Sequence, residues 1–350
     1  MKPWENYIRR VEPYVPGEQP KNKNVIKLNT NENPYPPAPG VEKARKAFSD
    51  DSLRLYPDPA ASSLTEALAD YYGLAPEQVF VGVGSDDVLA MAFLTFFNSE
   101  KPILFPDITY SFYSVWADLF RIPYERPALD ADFRMVKEDY YQPNGGIVFP
   151  NPNAPTSLLE PLSFIRDILD HNQESIVIVD EAYIDFGGES AIPLLKEYDN
   201  LLVVQTFSKS RSMAGMRIGY AMGNPLLIKA LNDVKYSYNS YTMNRPSLVF
   251  GVEAVKDDAY FKETLGKIIK TRQEAIEKLT ELGFTCLESA SNFLFAAHKT
   301  VPAEKIFKEL KEEGIFVRHF NSARIDNYLR ITIGTPEEME KLYQFLARYQ

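Results

Sequence analysis

Short, continuous apolar runs punctuate the first two thirds of the chain, at 79–83, 103–105, 146–149, 176–179 and 201–205. Each stops at a Gly, a Pro or a polar residue, as strands buried on both faces do. Between them lie stretches of helical periodicity, 85–97 and 162–170 being the clearest. This alternation predicts an α/β domain built on a mostly parallel sheet flanked by helices. The last hundred residues change character. Leu265, Ile268, Ile269, Ile276, Leu279 and Leu282 recur at helical spacing, and Gly283 follows as a helix stop. Runs at 293–297, 315–317 and 328–333 read as short strands. Thr335-Pro336-Glu337-Glu338 is a capping box opening a helix with Met339, Leu342, Phe345 and Leu346 on one face. The first forty residues, rich in Pro, Asn and Lys, read as an arm with turns. The expected organisation is an N-terminal arm over 1–28 joining the small domain, a large domain over 29–243, and a smaller α+β domain over 244–350.

A length of 350 residues agrees with about two domains. The 38 basic and 48 acidic residues leave a net charge of −10, the wrong sign for gripping nucleic acid or an anionic membrane over a broad face. A single cysteine, Cys286, excludes an internal disulfide, and with only three histidines little remains for a metal cage, so no metal is expected. The start, MKPWENYIRR, lacks the apolar core of a signal peptide, and the longest apolar run, 88–97, is too short to span a bilayer. The expectation is a cytoplasmic protein with neither a nucleic-acid nor a membrane partner.

Four places put polar residues where an apolar strand ends, the edge at which ligands gather in open α/β sheets. In Gly82-Val83-Gly84-Ser85-Asp86-Asp87 the glycines permit a tight turn, and the helix beginning at Ser85 offers free N–H groups to an anion. Taken alone, that segment reads more simply as an ordinary helix cap with acidic residues in the first turn, needing no ligand. Asp180, with Tyr183 just beyond, ends a buried strand, where a carboxylate needs a cation or hydrogen bonds; a helix cap is again the plain alternative. Thr206-Phe207-Ser208-Lys209-Ser210, followed by Arg217, sets a lysine among hydroxyls directly after a strand, a setting for a desolvated amine. Arg330 shares a face with Thr332 on a half-buried strand and calls for a carboxylate or phosphate. Together the four meet the needs of pyridoxal phosphate: an amine for the aldehyde, an acid for the ring nitrogen, and N–H, hydroxyl and guanidinium donors for the phosphate. No G-x-G-x-x-G is present, which counts against a nicotinamide dehydrogenase.

At these residues the chain resembles the fold-type I pyridoxal-phosphate aminotransferases, and among them the histidinol-phosphate aminotransferase family. The likeness runs over nearly the whole length. Its markers are Pro13-Tyr14-Val15-Pro16-Gly17, Leu28-Asn29-Thr30-Asn31-Glu32-Asn33-Pro34, Tyr56-Pro57-Asp58, Gly84-Ser85-Asp86, Asn151-Pro152-Asn153-Ala154-Pro155-Thr156, Val179-Asp180-Glu181-Ala182-Tyr183, Thr206-Phe207-Ser208-Lys209 and Leu329-Arg330-Ile331-Thr332. The resemblance implies that Lys209 holds the cofactor and shuttles the Cα proton, Asp180 partners the pyridine nitrogen, Tyr183 bonds the 3-oxygen, and Tyr110 stacks on the ring. It implies a phosphate cradle of Ser85, Asp86, Thr206, Ser208 and Arg217, completed by Tyr56 of a neighbouring subunit, and hence a homodimer. Tyr14, Asn33, Arg318 and Arg330 fall to the substrate. The reaction so implied moves the amino group of L-histidinol phosphate to 2-oxoglutarate, in histidine biosynthesis.

Two departures stand out. Where the family reads Asn-Pro-x-Asn-Pro-Thr-Gly, this chain places Ala154 at the ring-contacting Asn and Ser157 at the Gly, leaving Asn153 as the candidate amide one residue earlier. Asp87 stands where Glu is common. An aromatic amino-acid aminotransferase and a decarboxylase of the threonine-phosphate type are the nearest alternatives. A pyridoxal-phosphate-binding regulator is disfavoured, because no basic helix-turn-helix segment precedes Leu28. His171, His298 and His319 are scattered and read as structural or surface groups, and Tyr236, Tyr238 and Tyr241 as packing or dimer contacts.

Overall fold

The apolar runs become strands Val79–Gly82, Ile103–Leu104, Gly146–Pro150, Val177–Asp180 and Leu201–Thr206 of one seven-stranded sheet, completed by Tyr124–Glu125 and Gly219–Gly223. The structure is a computed structural model that describes residues 2–21 and 24–350. Residues 1, 22 and 23 of the expected arm lie outside them. Across the sheet the order is Val79–Gly82, Gly219–Gly223, Leu201–Thr206, Val177–Asp180, Gly146–Pro150, Ile103–Leu104, Tyr124–Glu125. Six strands run the same way, and Gly219–Gly223 runs against them, antiparallel to both its neighbours. The strands ending at Gly82, Pro150, Asp180 and Thr206 therefore deliver their carboxyl ends to one edge.

Both faces are covered, which is why these strands read as unbroken apolar runs. Val81, Ile147, Val177 and Val203 face one core, with the helices Ser62–Tyr72 and Leu162–His171. Phe80, Val148, Ile178, Leu202 and Val204 face the other, with Ser85–Phe96, Phe112–Phe120 and Pro225–Tyr238.

A second sheet, antiparallel throughout, runs Arg318–His319, Leu329–Thr332, Phe293–His298, Phe284–Cys286. Helices Asp258–Glu281, Ala303–Glu312 and Pro336–Leu346 pack on it through Leu265, Ile268, Ile306, Leu310, Met339 and Leu342. The capping box forms: Glu338 N donates to Thr335 Oγ1 at 3.3 Å and Thr335 N to Glu338 Oε2 at 2.8 Å. Ile26–Lys27 pairs in parallel with Ile315–Phe316, and Leu28 enters the core of this second lobe.

The helix Arg245–Lys256, which a division at 243/244 gives to the small domain, packs elsewhere. Its Leu248, Phe250, Ala254 and Val255 lie in the large sheet's core, because Asp257 separates it from the long helix that turns to the small sheet. A smaller cluster, Ile108, Leu129, Phe133, Leu158, Phe295 and Ile325, joins the lobes beside the site described next. Among the described residues no helix is long and apolar enough to cross a membrane.

Candidate active site

A cavity of about 430 Å³ opens at the carboxyl edge of the large sheet, where the second lobe meets it. That volume suits a cofactor with part of a substrate. Ser85, Asp86, Tyr110, Asp180, Tyr183, Thr206, Ser208, Lys209, Arg217, Arg318, Arg330 and Tyr14 all line it. These residues are scattered from 14 to 330 and meet because four strand ends and the small sheet converge there.

The phosphate end is shaped by backbone. Gly84 caps the helix Ser85–Phe96 at φ +86°, and Asp87 Oδ2 accepts Val83 N at 2.9 Å, locking the turn. The cap position is Gly84, which makes no side-chain hydrogen bond, and Asp86 and Asp87 occupy the first turn. Gly219 lies against this turn so closely that a Cβ there would sit inside the Gly84–Ser85 peptide. Ser208 Oγ accepts from Thr206 Oγ1 at 3.1 Å and from Arg217 Nη1 at 3.4 Å. Arg217 also pairs with Asp86 at 3.4 Å, and Asp86 accepts the Tyr110 hydroxyl at 2.8 Å. Hydroxyls, a guanidinium and a helix N-terminus together make an anion site.

At the other end Asp180 is buried. Tyr113 donates its hydroxyl to Oδ2 at 2.9 Å and Ala182 N donates to Oδ1 at 3.2 Å. Burial outweighs these bonds and pushes the carboxyl up to about 7. A protonated ring nitrogen is the partner such an acid lacks. Tyr183 OH accepts Asn31 Nδ2 at 2.9 Å, and Lys209 Nζ sits 5.9 Å from the Tyr183 ring centre, donating to Thr30 O at 3.1 Å.

Arg330 and Arg318 stand directly opposite each other on paired antiparallel strands. Like charges so placed repel unless an anion lies between them. Arg330 is held by Asn29 O at 3.1 Å from Nη2 and by the rings of Phe293 and Phe320, 5.3 and 5.7 Å from its guanidinium carbon. Its Nε is buried without a partner among the described residues. Burial, then the Arg318 charge, press its pKa down. Tyr14, stacked on Phe112 at 4.0 Å, closes this end, its hydroxyl pushed up by burial against the opposing pull of Arg318 and Arg330.

Two expected contacts are absent: the Asn33 and Asn153 amides are bonded elsewhere. Asn33 does not line the cavity: its Nδ2 donates to Lys209 O and Ser210 O at 3.1 Å each, and its Oδ1 accepts Tyr35 N. It holds the backbone of the lysine segment and has no amide free for substrate. Asn153 is likewise consumed, donating to Ile108 O and Thr156 Oγ1 and accepting from Thr109, while Ala154 and Pro155 form the wall. Tyr56 is 78% exposed and stacks on Tyr241 at 4.6 Å, outside its own chain's cavity. Tyr113, Asn31 and the Thr30 carbonyl were missed by sequence reading. Of these only Tyr113 leaves a trace, three residues after Tyr110 and three before Trp116 on a helix facing the sheet.

The histidines stay out of the cavity lining. His171 stacks on Tyr141, His298 Nδ1 accepts Thr300 N and Val301 N, and His319 bonds the Asp326 carbonyl. No group of metal-ligating side chains occurs among the described residues.

An open α/β sheet with an anion cradle, a buried acid and an amine at one edge, closed by a second lobe bearing arginines, defines a pyridoxal-phosphate-dependent enzyme. The residues present fit that group in shape and in donor set. The chain belongs to the aminotransferases of class I and II, matching that family over residues 23–346. It is 53% identical over 339 residues to a histidinol-phosphate aminotransferase of Clostridium botulinum, covering 97% of this chain and 96% of that protein. It is 52% identical over 346 residues to the enzyme of that name from Lactococcus lactis, at 99% and 96% coverage. The histidinol-phosphate aminotransferase of Sinorhizobium meliloti, solved with pyridoxal-5′-phosphate, shares the fold at a TM-score of 0.85 and 24% identity over 93% of this chain and 90% of that one.

Proposed function

We propose that this aminotransferase moves the amino group of L-histidinol phosphate to 2-oxoglutarate, as a cytoplasmic homodimer serving histidine biosynthesis. The facing pair Arg318 and Arg330 carries the reading, supported by the names of the relatives. Histidinol phosphate has no α-carboxylate and glutamate has one. One anion site must therefore accept phosphate from the first substrate and carboxylate from the second, and forked guanidinium donors suit both.

The residues at the cavity support the following roles. Pyridoxal phosphate, when bound, supplies the electron sink that stabilises negative charge at the substrate's Cα. Ser85, Thr206, Ser208 and Arg217 would hold its phosphate, joined in a dimer by Tyr56 of the neighbouring subunit. Asp180 keeps the ring nitrogen protonated, with Tyr113 fixing the carboxylate. Tyr183, oriented by Asn31, would hydrogen-bond the ring, and Tyr110 would help to hold it. Lys209 Nζ takes the proton from Cα. Arg330 and Arg318 set Cα against that amine, and Tyr14 with the small lobe excludes water from the anion end.

The test is a panel of amino donors, L-histidinol phosphate, phenylalanine and tyrosine, assayed against 2-oxoglutarate. Histidinol phosphate should give the highest kcat/KM. Arg330→Lys should lower kcat/KM for both half-reactions by about one to two decades, since a charge-assisted bond to a desolvated anion is worth about 1.5–3 kcal/mol. Arg318→Ala should penalise histidinol phosphate more than phenylalanine. Equal or better turnover of the aromatic amino acids, with Arg318→Ala indifferent to phosphate, would transfer the assignment to an aromatic aminotransferase.

A further inference from the structure

Two residues beyond Lys209, Arg211 is 5% exposed and takes no part in lining the main cavity. Its guanidinium carbon lies 4.1 Å from the ring centre of Phe261, 5.0 Å from that of Tyr71 and 5.4 Å from that of Phe207. Nη1 donates to Ala254 O at 2.8 Å. Nη2 is buried with no hydrogen-bond partner among the described residues. Asp185, half-buried nearby, is bonded by Ser210 Oγ at 2.6 Å.

Burial works against this arginine, although the tyrosines and the Asp185 carboxyl around it favour its charge. A guanidinium buried with an N–H unsatisfied costs free energy, and a long apolar side chain would fill a box of three rings at least as well. What arginine supplies, and an apolar chain does not, is direction: a planar group fixed between rings and aimed at one carbonyl.

The contacts come from both lobes. Ala254 belongs to the helix packed on the large sheet, and Phe261 to the long helix whose apolar side builds the small lobe. Only Asp257 separates those helices. Tyr71 reinforces the junction by donating to Asp258 Oδ1 at 3.0 Å. The segment so clamped is the one from which the Lys209 side chain rises; its other ties include Asn33 to the Lys209 and Ser210 carbonyls, Ser210 to Asp185, Ser212 N to Lys209 O at 3.4 Å and Met213 N to Phe207 O at 3.0 Å.

We propose that Arg211 is a positioning residue, which fixes the Lys209 segment to the junction between the lobes and so sets where the amine stands relative to Asp180 and Tyr183. The proposal rests on Lys209 being the lysine that holds the cofactor.

The test uses the holoenzyme of Arg211→Met. Borohydride reduction and peptide mapping check the lysine, a pH titration of the bound cofactor's absorbance reports the environment of the amine, and kcat, KM and Tm are measured alongside. The pyridoxyl label should stay on the Lys209 peptide and Tm close to wild type, while the titration midpoint moves. The kcat should fall about ten- to a hundredfold with KM nearly unchanged, the signature of a reacting group displaced after binding. A wild-type midpoint and kcat, with Tm alone lowered, would overturn the proposal. Should Arg211→Met not fold, Phe261→Leu removes the nearest ring and leaves the arginine. It should shift midpoint and kcat in the same direction, and unchanged values there would equally overturn it. A label on another lysine is a different failure, that of the cofactor assignment.

Discussion

Asp180 and Glu181 are adjacent carboxyls at a strand end with separate sets of partners. Asp180 lines the cavity; Glu181 accepts Ser190 Oγ at 2.6 Å, Gln205 Nε2 at 2.8 Å and Ala191 N at 2.6 Å. Burial pushes both up to about 7. Between the ordinary carboxylate range and pH ~7 the folded protein keeps protons that the unfolded chain has released, so stability falls as pH rises across that window. Cofactor-free protein should therefore lose Tm from pH ~5 to ~7.5, and Asp180→Asn should flatten part of that slope in differential scanning calorimetry. A slope unaffected by the substitution would mean that Asp180 is already ionised in the folded apoprotein. The residues that carry distinctive chemistry, Lys209, Asp180, Tyr183 and Arg217, were legible because their side chains have few uses beside a buried strand end. The amides were not. Asn29, Asn31 and Asn33 alternate along one segment that bends at 29–30 and holds Asn31 at φ +58°, and only the fold decides that Asn31 meets Tyr183 while Asn33 turns to the backbone of Lys209.

The elements with strong apolar runs were equally legible, since burial on both faces imprints itself on composition. Gly219–Gly223 escaped notice: a glycine at each end of a five-residue strand dilutes the signal, and its pairing is antiparallel in an otherwise parallel sheet. The glycine at its start is dictated by close approach to the Gly84–Ser85 turn. Gly219→Ala should force that turn outward. Overpacking of this kind costs about 1–3 kcal/mol. Cofactor Kd, measured on apoprotein by fluorescence quenching, should weaken about tenfold or more, the equivalent of some 1.4 kcal/mol. An unchanged Kd would remove the turn from the phosphate site. The long helix Asp258–Glu281 begins one turn and more before its first periodic leucine, because its opening residues face Arg211 and Tyr71 as well as the small-lobe core.

For the molecule as a whole, the exposed stack of Tyr56 on Tyr241, next to exposed Leu53 and Leu55, fits a surface that a second copy covers. If Tyr56 completes the partner's phosphate site, mixing Lys209→Ala chains with Tyr56→Phe chains gives heterodimers in which one site carries both defects and the other neither. Activity should rise above that of either parent once subunits exchange; exchange without rescue would confine Tyr56 to its own chain. The sheet order also governs how the chain is made. Val79–Gly82 borders only Gly219–Gly223, a neighbour synthesised about 140 residues later, on the order of ten seconds at ordinary translation speeds. The turn that begins the phosphate cradle leaves the ribosome with no sheet to join. It is completed when the stretch carrying Lys209, Arg217 and Gly219 arrives, so a chain cut short before that point carries the buried acid but neither the amine nor the guanidinium of the site.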